Sequence, residues 1–367
     1  MMIPPIDWEY VKREGGNAMG MLTGQAYDHV PANPFCIGQA AVAHGHTINE
    51  FYTQPAKGVE WLINHSRIYE YTPMYMWIYA TYWCEDYGGE LKWPVGRMSA
   101  PGVIKHPAPT PELAENLEVL TPEEMTKGPT MTRHWEALST LEKMMGPAFG
   151  PYSFVYEMFV VGSYWVGPEN LFMWVHQEPE LVKKLMRKVV EHSQIANELV
   201  VKKYGKSMVI CASLLANSST MSPQQCREFN IVYLKDMLEK SIKAGAGPVL
   251  YHLCGDHGQD YQLHEDCPTP QGSIMHVAYD GLKPADLNEV AKIFGNRCCL
   301  LGNTDTALMQ RGTPAQVYEN AKKDVLAYKH IKKGFMAGCA CECPPFAPSA
   351  NVHAWMRANK EFGSMKD

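Results

Sequence analysis

The chain has 367 residues, 46% of them apolar, and a formal net charge of −6. That is enough apolar material for one large core, and the absence of any basic run or stripe argues against nucleic acid as a partner. Eleven cysteines behind an N-terminus, "MMIPPIDWEY", without the pattern of a secretory leader point to a reducing cytoplasm, and the longest apolar-aromatic patch, "MYMWIYATYW", is too short and too tyrosine-rich to span a bilayer.

The first 150 residues carry many prolines and aromatics and are expected to form a helical extension, over residues 1–70, that then enters the body of the fold. From about residue 178 the pattern alternates regularly. "EPELVKKLMRKVVEHSQIANELVVKKYG" has a helical apolar stripe that stops at Gly205. "SMVICAS" reads as a strand. "SPQQCREFNIVYLKDMLEKSIKAG" reads as a helix with Ser222 as N-cap, Pro223 at the first position and Gly245 past the end. "PVLYHLCG" and "SIMHVAY" are strands, "PADLNEVAKIFG" a helix, "CCLLGN" a strand, "TPAQVYENAKKDVLAYKH" a helix, "KGFMAGC" a strand and "SANVHAWMRANKEFG" the closing helix.

Repeated βα units specify a parallel sheet. The length accommodates eight such units, so the expected class is α/β, a (β/α)8 TIM barrel with an N-terminal helical extension, in a single domain over residues 1–367. A doubly wound open sheet is the alternative, weakened because no G-x-G-x-x-G turn follows any strand. Twenty-two methionines and a high aromatic content fit either a large core or a roomy apolar pocket for a flat ligand.

Polar, metal-capable side chains collect where the strands end. His252 and Cys254 follow one strand, Tyr279 and Asp280 the next, Asn303 and Asp305 the next, and Cys339, Cys341 and Cys343 the last. Active sites of such barrels sit at the C-terminal ends of the strands. Side chains two apart in an extended chain point to one side, so His252 and Cys254 can share an ion, and so can members of the 339–343 set. Histidine and cysteine are zinc ligands, and a catalytic zinc keeps three protein ligands and one open position.

Six segments then bring a family into view. "DHVPANPF", "EDYGGELKWP", "MSPQQCREF", "YHLCGD", "DLNEVAKIFGNRCCLLGNTD" and "GCACECPPFAPSANVHAW" together make the chain resemble the uroporphyrinogen decarboxylase-like superfamily, in its cobalamin-dependent methyltransferase branch. The resemblance implies a zinc ion on His252, Cys254 and, aligned on Pro344-Pro345 and Asn351, Cys341, with Cys339 and Cys343 flanking it. The decarboxylase subgroup fits less well, because its R-Q-A-G-R-Y motif is absent. A further departure is "CASLLANSS" ahead of Ser222, where methyltransferase relatives often carry D-D-x-G.

The resemblance implies methyl transfer involving a cobalamin carried on a separate corrinoid protein, since no D-x-H-x-x-G segment occurs here. The apolar pocket wall favours a methoxylated aromatic donor demethylated by Co(I). The reverse direction, methyl-Co(III) to a thiol such as coenzyme M, is the alternative, and a non-catalytic corrinoid-associated protein is a third. His252, Cys254 and Cys341 are the expected catalytic and metal residues. Asn303, Asp305, Tyr279 and Asp280 are expected near the substrate, or, for Asn303 and Asp305, as loop caps. Glu85 matches a family acidic position or a structural ion pair, His257 and His264 read as loop residues, and His44 and His46 as surface residues.

Overall fold

The computed structural model describes residues 7–366, so the first six residues of the expected extension lie outside the described part. Contacts among the described residues group into two compact units, one of residues 79–138 and 150–268, the other of residues 7–78, 139–149 and 269–366.

In the unit holding residues 150–268, a small hairpin pairs β1 (Glu90–Lys92) antiparallel with β2 (Gly102–Lys105). Then β3 (Tyr152–Tyr156), β4 (Ser207–Ser213) and β5 (Ala246–Asp256) run parallel, with Val155 opposite Cys211 and Ala212 opposite His252. β3 lies ahead of the βα alternation that begins near residue 178 and is not among the expected strands; all five of its residues are buried. Helix Pro179–Tyr204 buries Leu181, Val182, Leu185, Met186, Val189 and Val190 and ends on Gly205, whose φ of 75° is open to glycine. The helix expected from Ser222 starts there, with Ser222 and Gln225 forming a reciprocal capping box. It is interrupted by one wide π turn, Arg227–Ile231, in which Asn230 is fully buried.

That turn serves Glu157, the first residue after β3. Its carboxylate is fully buried. Oε1 accepts the backbone N–H groups of Leu214, Leu215 and Ala216 at 3.1, 2.8 and 2.9 Å, and Oε2 accepts Asn230 Nδ2 at 2.7 Å and the Ser213 hydroxyl. The segment after β4 therefore folds around one buried carboxyl group, which burial pushes above its ordinary value.

In the unit holding the chain termini, helices Trp8–Thr23, Gly38–Ala43, Ile48–Thr53 and Pro55–Tyr69 form the N-terminal extension. β6 (Ile274–Asp280), β8 (Cys299–Thr304) and β9 (Phe335–Cys339) run parallel, and the short β7 (Lys283–Pro284) lies antiparallel on β6. Residues 31–36 run parallel beside β9, through bridges of Ala32 to Ala337 and Cys36 to Cys343. Strands β3 to β9 make up one mostly parallel sheet, the α/β class expected of a (β/α)8 barrel. No helix among the described residues is long and apolar enough to cross a membrane.

Two predictions follow from this packing. A Cβ on Gly58 would lie 2.7 Å from Trp77 Cδ1 and 2.9 Å from the Phe51 carbonyl, whereas one on Gly16 would meet nothing within 4 Å. Gly58→Ala is therefore expected to destabilise by roughly 1–3 kcal/mol, and Gly16→Ala to stabilise by up to ~1 kcal/mol, in urea unfolding. Glu157→Ala strands three amides, Asn230 and Ser213 without their acceptor and is expected to cost at least ~3 kcal/mol. A Glu157→Ala protein with the unfolding midpoint of the wild type would contradict the central place given to this carboxylate.

Candidate metal centre

The period of two along β5 sends His252 and Cys254 to one side and Leu253, which is 1% exposed, to the other. His252 is buried and Cys254 half-buried. Cys341 lies two residues past the end of β9. The ligand atoms of His252, Cys254 and Cys341 all lie within 4.8 Å of one another, and among the described residues no other three histidine, cysteine or carboxylate side chains are so grouped. Zinc bonds of about 2.0–2.3 Å place tetrahedral donors somewhat under ~4 Å apart, so small side-chain adjustments bring this set to an ion. Two soft thiolates, one imidazole and partial burial are the donor chemistry zinc takes, so the residues present fit the group.

Spacing alone places Cys339, Cys341 and Cys343 on one side, and here the structure differs. The Ala340 N–H still bonds the Thr304 carbonyl at 2.8 Å, after which the chain turns. The Cys343 N–H donates to the Phe35 carbonyl at 3.0 Å, and Glu342 accepts the Gly38 N–H at 2.9 Å. The alternation of an extended strand ends with β9, so Cys341 joins His252 and Cys254 while Cys339 and Cys343 do not. The thiol of Cys343 contacts instead those of Cys339 and Cys36. Burial pushes Glu342, beside Cys341, up to about 8.

The remaining expected residues are placed as follows. Asn303 is 3% exposed, and its Nδ2 donates to the carbonyls of Val277, Ala278 and Ala285 at 3.2, 3.2 and 2.8 Å, which ties β8 to β6. Its Oδ1 has no hydrogen-bond partner. Asp305 caps helix Thr306–Arg311, accepting the Ala307 N–H at 3.0 Å and the Tyr279 hydroxyl at 3.3 Å. Burial raises the Tyr279 phenol, and the nearby charges of Asp305 and Cys341 add to the effect. Asp280 is exposed. Glu85 accepts Arg133 Nη1 at 2.6 Å, and that guanidinium sits 4.8 Å over the Trp93 ring, a structural ion pair. His44 bonds the Ala40 carbonyl, and His46 stacks on Trp61 at 4.2 Å.

His257 and His264, expected as loop residues, stay outside the donor group, and both are buried. They are 0% and 1% exposed. His257 Nδ1 donates to Asp260 Oδ1 at 2.5 Å, and Asp260 also accepts the Ser218 hydroxyl at 2.6 Å, joining the segment after β5 to the one after β4. Burial would lower His257, but Asp260 and Glu157 outweigh it and hold the ring above its ordinary value, while burial draws His264 down to about 4. Tyr164 is a further neighbour that the sequence did not announce: burial raises its phenol, and the charges of Cys254, Cys84 and Glu157 act in the same direction. Glu157, Tyr164 and His257 have no motif. Their one sequence signal is position, a polar residue set at a strand end or among apolar neighbours.

Comparison with known proteins agrees with this architecture. A search of curated proteins finds no match to the sequence. Among solved structures, the chain is similar to a methyltransferase from Methanosarcina mazei, with a TM-score of 0.79 and 20% identity over 95% of this chain and 99% of that one. At that identity the likeness is one of fold. The family model for uroporphyrinogen decarboxylase (URO-D) matches residues 16–362. The chain belongs to the uroporphyrinogen decarboxylase (URO-D) family.

Proposed function

We propose that this chain is a zinc-dependent methyltransferase that moves a methyl group from a methoxylated aromatic compound to Co(I) of a separate corrinoid protein. The observation that carries the proposal is the donor set of His252, Cys254 and Cys341 within 4.8 Å. Three protein ligands suit a catalytic zinc, which keeps a fourth position for an outside molecule, where a structural zinc would use four. Membership of the URO-D family and the fold shared with a protein named a methyltransferase support the same reaction class.

A zinc ion held by these residues would supply Lewis acidity toward the ether oxygen of the donor and so favour departure of a phenolate. The rest falls to the chain. His252 and Cys254 hold two corners of the site from one strand. Leu214 and Leu215, half-exposed directly after β4, offer the aromatic ring an apolar wall, and Glu157 holds that wall in place by its amide groups.

One observation favours the opposite direction. Two thiolates and an imidazole leave a zinc centre near neutral, which suits deprotonation of a bound thiol better than polarisation of an ether. The direction is tested with corrinoid protein in its two states. Supplied as Co(I) with anisole-type compounds, it is expected to develop the visible spectrum of methyl-Co(III), and dialkyl ethers are expected to react far more slowly because an alkoxide leaves less readily than a phenolate. Turnover of thiols by methyl-Co(III) protein, with no reaction of any aryl ether, would establish the thiol direction instead.

Metal content is the second test. Protein purified without chelator is expected to hold about one zinc per chain, and Cys341→Ser much less. Metal-free protein is expected to keep its circular dichroism and lose methyl transfer, because a core of this size stands without a metal staple. Global unfolding on mild chelation would make the metal structural.

A further inference from the structure

Cys36, Cys339 and Cys343 form a second group of thiols, separate from the three donors of the metal centre. They are 5%, 0% and 0% exposed. The backbone assembles them. Residues 31–36 run beside β9, with the Asn33 N–H on the Ala337 carbonyl at 2.9 Å, the Ala337 N–H on Pro31 at 2.9 Å and the Cys343 N–H on Phe35 at 3.0 Å. Cys36 and Cys343 are thereby bridge partners, and the Cys343 thiol stands in contact with both Cys36 and Cys339.

The arrangement answers a chemical problem. Three cysteines within five residues offer three soft ligands to one ion, and a zinc that gathers a fourth protein ligand is closed to outside molecules. An open centre at His252, Cys254 and Cys341 requires that Cys339 and Cys343 be kept away from it. The paired backbone of residues 35–36 and 343 sets the Cys36 side chain against Cys343, and that side chain, which the backbone pairing alone does not replace, occupies the Cys343 thiol.

We propose that Cys36 is a positioning residue for the metal centre: seated against Cys343 on the neighbouring strand, it withholds the flanking thiols from the ion and so preserves the open fourth position. The inference rests on the zinc reading above and concerns which thiols reach the ion rather than which substrate does.

Cobalt(II) in place of zinc reports the answer directly, because its thiolate charge-transfer bands grow with each sulfur bound. Wild-type protein loaded with one equivalent of Co(II) is expected to show the intensity of two thiolates and to respond when 2-mercaptoethanol is added. Cys36→Ala is expected to raise that intensity by about half, as a third thiolate enters, and to abolish the response to added thiol. Cys36→Ala/Cys343→Val is expected to return both to the wild-type behaviour. If Cys36→Ala does not fold, Cys36→Val, which fills the same space without a thiol, is read in the same way. A Cys36→Ala spectrum identical to wild type, or a third thiolate that persists in the double variant, overturns the proposal for Cys36. Wild-type protein that takes up neither Co(II) nor zinc overturns the zinc reading itself, whatever the variants do.

Discussion

A carboxylate without access to water is stable only when its lone pairs are met by donors, and Glu157 imposes that condition on everything near it. Three consecutive amides can converge on one oxygen only if the chain after β4 turns sharply, so residues 214–216 form a tight loop instead of continuing the strand. Asn230 can reach the other oxygen only if the helix after Ser222 widens by one residue, and the π turn at Arg227–Ile231 supplies that. The outer surface of the 214–216 loop is thus carried by a structure whose inner surface is committed to one buried carboxyl group. The apolar "LLA" of this loop is compatible with a buried carboxylate because the loop contributes backbone, not side chains, to it.

The same logic extends to the segment after β5. Asp260 takes one hydrogen bond from His257 and one from Ser218, and Asp256 accepts the Ser219 hydroxyl at 3.4 Å and the Gly258 N–H at 3.2 Å. These bonds fasten the segment that follows Cys254 to the loop that Glu157 organises. A polar network of this kind specifies one arrangement because its fully buried members, His257 and Asp260, would be stranded in any other.

Much of this was legible before any coordinates. The βα alternation from residue 178, the helix start at Ser222 and Pro223, the stop at Gly205 and the pairing of His252 with Cys254 follow from local rules of capping and side-chain period, and local rules are what a sequence displays. β3 was not legible because it precedes the repeating βα pattern; β8 and β9 are as fully buried and also lack alternation, but their place in that pattern reveals them. Glu157 was not, because nothing at position 157 reveals that amides at 214–216 and a side chain at 230 will meet it. His257 and His264 sit in a polar stretch that reads as a loop, and their burial depends on packing against segments distant in sequence. The 339–343 cysteines mark the boundary most clearly. The rule that i and i+2 share a side was sound for β5, which stays extended through Cys254, and failed past Cys339, where β9 ends and the chain turns.

The unequal distribution of the candidate donors has a kinetic consequence. His252 and Cys254 stand on one strand, so for any ion they act as a bidentate chelate whose geometry is set before binding. Cys341 rides on a turn outside a strand. Were an ion held here as proposed, its capture would begin at the paired ligands of one strand, and its residence time would depend on how often Cys341 lets go and returns. Exchange of the ion and rigidity of the 340–343 segment become one property, which would let the protein hold a metal tightly over many turnovers while remaining loadable at a modest concentration of free ion.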